Sequence, residues 1–206
     1  MEHHIYLASR SPRRRELLAQ IGIGFNMLLF RLSPREDPEV DESWLAGETP
    51  SDYVQRVARA KASHGTRLLG LRSLPLRPVL AADTTIDMDG EVIGKPRDEA
   101  DAIAILTRLA GRSHRVLTAI AVASRDKDID HLEHVLSISE VRFRDLSGDE
   151  IRRYVQSGEP MDKAGAYGIQ GRAAAFVAEI HGSHSGIVGL PLCETVLLLR
   201  KFGCVV

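Results

Sequence analysis

The chain has 206 residues, 27 basic against 28 acidic side chains and a formal charge of −1, with 44% hydrophobic and 27% charged residues. This is the balance of an ordinary globule, so global disorder is excluded, and the length suits one domain, 1–206, or two lobes around one core. Near-neutral charge excludes a dedicated nucleic-acid or membrane-surface binder, so any basic patch must be local and aimed at a small anion.

In chain order, Ile5-Tyr6-Leu7-Ala8 reads as a short buried strand, and Ser11 caps a helix from Pro12 to about Ile21 that Gly22 stops. Phe25 to Leu29 is a second strand, and 31–48, with Pro34 and Pro38, is a polar loop. Thr49-Pro50-Ser51-Asp52 is a capping box opening a helix to His64, with Gly65 as its stop. Its apolar stripe is Val54, Val57, Ala58 and Ala62. Arg67 to Pro78 reads as irregular. Val79-Leu80-Ala81-Ala82 is a buried strand ending at Asp83, and Asp89-Gly90 is a hairpin turn between Ile86 and Val92-Ile93. Asp98 caps a helix carrying Ile103, Leu106 and Leu109. Strands follow at 116–123 and 135–143 around a charged turn at 125–130. Ser147-Gly148-Asp149-Glu150 is a further capping box for a helix to about Gln156. A glycine-punctuated stretch covers 158–171, a strand runs from Phe176 to Ile180, and a helix from Leu192 to Phe202 closes the chain. Hairpins beside βα connections predict an α/β domain with a mixed sheet.

No apolar run approaches the ~18 residues of a membrane span, and Met1-Glu2-His3-His4 lacks the basic start of a signal peptide. A cytoplasmic protein is expected. Cys193 and Cys204 read as buried thiols in a reducing compartment rather than as a disulfide.

Four stretches could carry chemistry. Ser9-Arg10-Ser11-Pro12-Arg13-Arg14 is a strand end turning into a helix, where free N–H groups and the helix dipole favour anions. Arg13 and Arg14 oppose that dipole, and by spacing alone they fit a solvated arginine run as well as a polyanion site. Asp83 closes an apolar strand, where α/β folds place ligands and where acids hold metals or activate water; a lone aspartate there reads first as a turn cap. Gly90-Glu91-Val92-Ile93-Gly94-Lys95-Pro96 is one residue short for a phosphate loop and has Pro96 where Ser or Thr is required, so a P-loop is rejected. Lys95 remains either a point charge for a phosphate or a solvated turn lysine. In 158–171, Gly165, Gly168 and Gly171 let backbone approach a ligand, and Gln170 offers donor and acceptor in one plane, as reading a base edge needs. Asp126, Asp128 and Asp130 lack the glycine and distal Glu of a calcium loop. His3, His4, His181 and His184 have no metal-ligand company, and Trp44 makes no base-stacking platform.

Taken together, Leu7-Ala8-Ser9-Arg10-Ser11-Pro12-Arg13-Arg14, Ala82-Asp83-Thr84, Gly94-Lys95-Pro96, the run from Asp162 to Gly171 and Gly189-Leu190-Pro191-Leu192 resemble the Maf family of nucleotide pyrophosphatases. The branch that they resemble hydrolyses dTTP and UTP. The resemblance implies a long mixed sheet with helices in two lobes around a central cleft, as in inosine-triphosphate pyrophosphatases. It also implies a house-cleaning role against non-standard nucleotides and, as an expectation, a homodimer. By the same resemblance Asp83 is the proton acceptor, and Arg13, Thr84 and Gln170 set substrate choice. Ser9, Arg14, Glu42, Lys61, Lys95 and Asp162 match other polar positions of the cleft, and a Mg²⁺ or Mn²⁺ ion is expected on Asp83 and Glu42. Arg172-Ala173-Ala174-Ala175 departs from the more glycine-rich run usual there. Two competing readings are a pyrophosphatase for another modified nucleotide, such as methylated GTP, and a nucleotide-binding regulator of division that releases no pyrophosphate.

Overall fold

The computed structural model describes residues 4–30, 40–126 and 129–204. Strands β1 (Ile5–Leu7), β2 (Phe25–Met27), β3 (Val79–Met88), β4 (Glu91–Ile93), β5 (Ser113–Asp126), β6 (Ile129–Phe143) and β7 (Val177–His181) form one sheet in the order β2-β1-β3-β5-β6-β7, with β4 also on β3. β1 is parallel to β2 and β3, and the other pairings are antiparallel. The expected mixed sheet is therefore present.

Alternating side chains divide the core between the two faces of the sheet. Ile5, Leu7, Leu80, Ala82, Val116 and Ile120 pack on one face with residues of α1 (Pro12–Gln20), α3 (Glu99–Leu109), α4 (Gly148–Val155), α5 (His184–Val188) and α6 (Leu192–Lys201). Tyr6, Ala8, Val79, Ala81, Leu117 and Ala119 pack on the other against Val54, Ala58, Ala62 and Leu69 of α2 (Pro50–Leu71). Small side chains on both partners let α2 lie close to the strands. At Gly65 the approach is closest: a Cβ there would stand 2.7 Å from Val79 Cγ1.

Several local signals act as expected. Ser11 accepts the Arg14 amide, Asp98 accepts the Asp101 amide, and Ser147 and Glu150 form a reciprocal capping box. Three expectations are corrected. Gly65 does not stop α2, which runs 22 residues to Leu71 because tertiary packing outweighs one glycine's propensity. β3 does not end at Asp83 but continues to Met88, since β5 pairs with it from Val79↔Ala123 to Asp87↔Arg115. Cys193 is exposed, and only Cys204 is buried; both are free thiols. The one-turn helix α5, capped by Ser183, has no counterpart in the sequence reading. Residues 1–3 (His3 among them), the 31–39 part of the polar loop and Asp128 lie outside the described residues.

One topological detail positions the site. β1 pairs with β3 only at Val79 and Leu80, and β4 only at Ile86, Asp87 and Met88. Residues 81–85 are thus paired on the β5 side alone, and their other edge opens where β1 turns into α1.

Candidate active site

A cavity of about 620 Å³ occupies that opening, a volume suited to a nucleotide. Because β3 alternates, Asp83 faces α2 and Thr84 faces the opposite side, and the cavity reaches both. All ten residues singled out from the sequence line it: Ser9, Arg13, Arg14, Glu42, Lys61, Asp83, Thr84, Lys95, Asp162 and Gln170.

On the α2 side, Lys61 Nζ lies 2.9 Å from Asp83 Oδ1 and 2.8 Å from Glu42 Oε2, so two carboxylates converge on one cation. Lys61 is in the middle of α2, and Glu42 stands on the loop before it. That loop is tied down by Arg56, which bonds the carbonyls of Asp41 and Ser43 at 2.9 and 2.7 Å and the Glu48 carboxylate at 2.6 Å. Tyr53 donates to the Glu42 carbonyl at 3.0 Å; burial, with the charges of Asp83 and Glu42, pushes its phenol up to about 12, so it stays a donor.

At the α1 turn the two arginines part company. Arg14 donates through Nε to the Gly189 carbonyl (2.8 Å), through Nη1 to Ser9 Oγ (3.2 Å) and through Nη2 to Thr84 Oγ1 (3.1 Å). Burial lowers its pKa, against the pull of Asp83. Arg13 Nε is buried without a hydrogen-bond partner among the described residues, an unmet donor beside the cavity.

The far wall is the glycine-punctuated segment, folded as 3₁₀ turns at Glu159–Asp162 and Ala164–Ala166. The Gly165 amide bonds the Gly94 carbonyl at 2.9 Å, joining this wall to the Lys95 loop. Gly171 leaves the space that the Glu159 carboxylate enters, and that carboxylate holds the Arg172 amide at 3.1 Å and the Tyr154 hydroxyl at 3.0 Å. Lys163 donates to Asp162 and to the Glu159 carbonyl, each at 2.6 Å. Burial works to raise the Asp162 carboxyl, but Lys163 and, more weakly, Arg13 hold it below its ordinary range. Gln170, beyond these anchors, is exposed at the cavity wall.

The sequence reading missed part of the lining. Lys163 and Tyr167 lie within a motif already singled out, whereas Ile187 and Val188 belong to the unforeseen α5. With Ile86 and Val116 they make the end of the cavity on the Thr84 side apolar. Among the described residues, no group of three or more His, Cys, Asp or Glu gathers as a metal cluster. No helix there is long and apolar enough to cross a membrane.

Known proteins resemble the chain over nearly its whole length. The chain is 60% identical over 199 residues to a dTTP/UTP pyrophosphatase of Dechloromonas aromatica, covering 97% of each chain. It is 58% identical over 204 residues to a dTTP/UTP pyrophosphatase of Aromatoleum aromaticum, covering 98% of this chain and 97% of that one. Among solved structures, the Ham1 protein of Staphylococcus aureus aligns over 97% of this chain and 98% of its own, with 16% identity and a TM-score of 0.49. The model of the Maf-like protein family matches residues 4–202, and the chain belongs to that family.

Proposed function

We propose that the protein hydrolyses dTTP and UTP to the monophosphate and pyrophosphate. The observation that carries this reading is the convergence on one cavity of the Lys61–Asp83–Glu42 cluster, the arginine turn of α1 and Gln170. The names of the relatives support it.

The open edge of β3 suggests how such a substrate lies. A pyrimidine suits the apolar end beside Thr84 and Gln170, and the phosphates suit the stretch from the arginine turn of α1 to Lys61 and Asp83. A nucleoside triphosphate brings about four negative charges, and its hydrolysis needs positioning and neutralisation more than covalent chemistry. Arg13, with its unmet donor, and Arg14, Lys61 and Lys95 supply the charge. Each charge-assisted hydrogen bond contributes roughly 1.5–3 kcal/mol, so several together offset phosphate desolvation. With one Asp83 oxygen held by Lys61, the other is the acceptor for the proton of the water that attacks the α-phosphorus.

The residues fit a hard divalent cation. Asp83 and Glu42 already converge on one cationic atom, and Mg²⁺ typically takes one or two carboxylates and completes its shell with water and phosphate oxygens. When bound there, Mg²⁺ or Mn²⁺ would neutralise phosphate oxygens. Asp83 and Glu42 would hold it, with Lys61 beside them as a further positive charge for the phosphates.

The test is product analysis of dTTP, UTP, CTP and methylated GTP with Mg²⁺ and Mn²⁺. Asp83→Asn should lower pyrophosphate release by about 10²-fold or more while keeping the fold, since Lys61 retains Glu42. A folded, fully active variant would remove Asp83 from this role. Excess chelator should stop turnover; undiminished activity in it would reject the metal. Methylated GTP as the preferred substrate, or tight binding without product, would replace the reading.

A further inference from the structure

Thr84 and Thr118 stand opposite each other in the β3–β5 register, and their hydroxyl oxygens are 3.0 Å apart. Thr118 is fully buried, 0% exposed, and its hydroxyl lies 2.8 Å from the Gly186 carbonyl of α5. A carbonyl only accepts, so the single hydrogen of Thr118 is committed there. The contact between the two threonines must then run from Thr84 to Thr118. On its other side Thr84 accepts from Arg14 Nη2, because a guanidinium only donates. Donor counting alone thus orders the relay: Arg14 to Thr84, Thr84 to Thr118, Thr118 to Gly186. Thr84 lines the cavity with no hydrogen left to give and one lone pair to offer.

We propose that Thr118 is a positioning residue for base selection: by taking the Thr84 hydrogen, it makes Thr84 an acceptor-only group that selects pyrimidines carrying a ring N–H. Uracil and thymine have such an N–H, whereas cytosine presents a lone pair there, so two acceptors would meet and stay unpaired. The inference rests on the reading of the cavity as a pyrimidine nucleotide site. It assigns a role in selectivity to a side chain that reaches no substrate.

Thr118→Val keeps the β-branched shape and removes the acceptor, freeing the Thr84 hydrogen to turn toward the cavity. The UTP-to-CTP ratio of kcat/KM should fall about tenfold or more, mainly through a lower KM for CTP. Thr118→Ser, which restores the relay, should return the ratio to that of the parent protein. Lost global stability cancels in the ratio, and a displaced α5, whose Ile187 and Val188 line the same end, would weaken UTP and CTP together rather than lower the KM for CTP. An unchanged ratio in active Thr118→Val, or an equal shift in Thr118→Ser, overturns the proposal. Thr118→Ala gives the same comparison if the valine variant does not fold. A parent protein that releases no pyrophosphate from UTP rejects the underlying reading instead.

Discussion

Arg13 and Arg14 are sequence neighbours at a helix start, where cations oppose the dipole. Arg14 meets that cost with three hydrogen bonds to Ser9, Thr84 and Gly189, so it is structural as well as cationic. Arg13 retains an unmet buried N–H at the cavity wall, the donor that the proposed phosphate binding would use. Gln170 is the matching case at the proposed base end. Its backbone is fixed by its neighbours, through Glu159 on Arg172 and His114 on Tyr167, while its own amide stands exposed in the cavity. Gln170→Leu keeps the length and removes both polar groups, so its effect should fall on recognition rather than folding. Efficiency with dTTP and UTP should drop about 10- to 100-fold, and their advantage over CTP should shrink. Side-by-side kcat/KM values check this, and an unaltered ranking would put base readout elsewhere.

At the scale of elements, what could be read from the sequence was what is local. The caps at Ser11, Asp98 and Ser147 and the Asp89-Gly90 turn are short-range chemistry, and each appears where the residues place it. The extension of β3 past Asp83 depends on β5, some thirty residues away in sequence, so the polar run Asp83-Thr84-Thr85 looked like a strand end. Gly65 looked like a stop because the close approach of Val79 is invisible until α2 meets the sheet. The site was legible for a related reason: Ser9 to Arg14, Asp83-Thr84 and Asp162 to Gln170 are compact motifs. The single-turn α5 offered too little periodicity, and with it went Ile187, Val188 and the Gly186 carbonyl on which the threonine relay ends. The functional consequence of β3's length is that Asp83 and Thr84 are consecutive residues on opposite faces. A mid-strand position supplies both an acid for one side of the sheet and a hydroxyl for the other, whereas a loop would leave them free to drift.

For the whole molecule, the sheet's interior holds a proton switch in its stability. His114 of β5 is 3% exposed, with Nε2 2.8 Å from the Tyr167 hydroxyl and Nδ1 unpartnered among the described residues. Burial pushes its pKa down from 6.5 to about 4. The unfolded chain therefore binds a proton between those values that the folded one refuses, and stability rises with pH across the window. The contribution is present in full above pH 6.5 and is lost as pH falls toward 4. Between pH 7 and 5 the loss is about 2 kcal/mol, roughly 4–8 °C in Tm for a chain of this size. Burial lowers the pKa of His134 as well, adding in the same direction. Surface carboxylates act in a lower window: Glu150, pulled down to about 2 by Arg144, weakens only as pH passes below the ordinary carboxylate range. His114→Phe separates the two. It leaves the Tyr167 hydroxyl unpaired, a cost that does not titrate in this range because burial drives that phenol's pKa upward. The variant should therefore be less stable at pH 7 yet lose less Tm than the parent protein between pH 7 and 5. Thermal melts at both pH values measure this, and parallel losses in the two proteins would show that His114 is not the group that titrates.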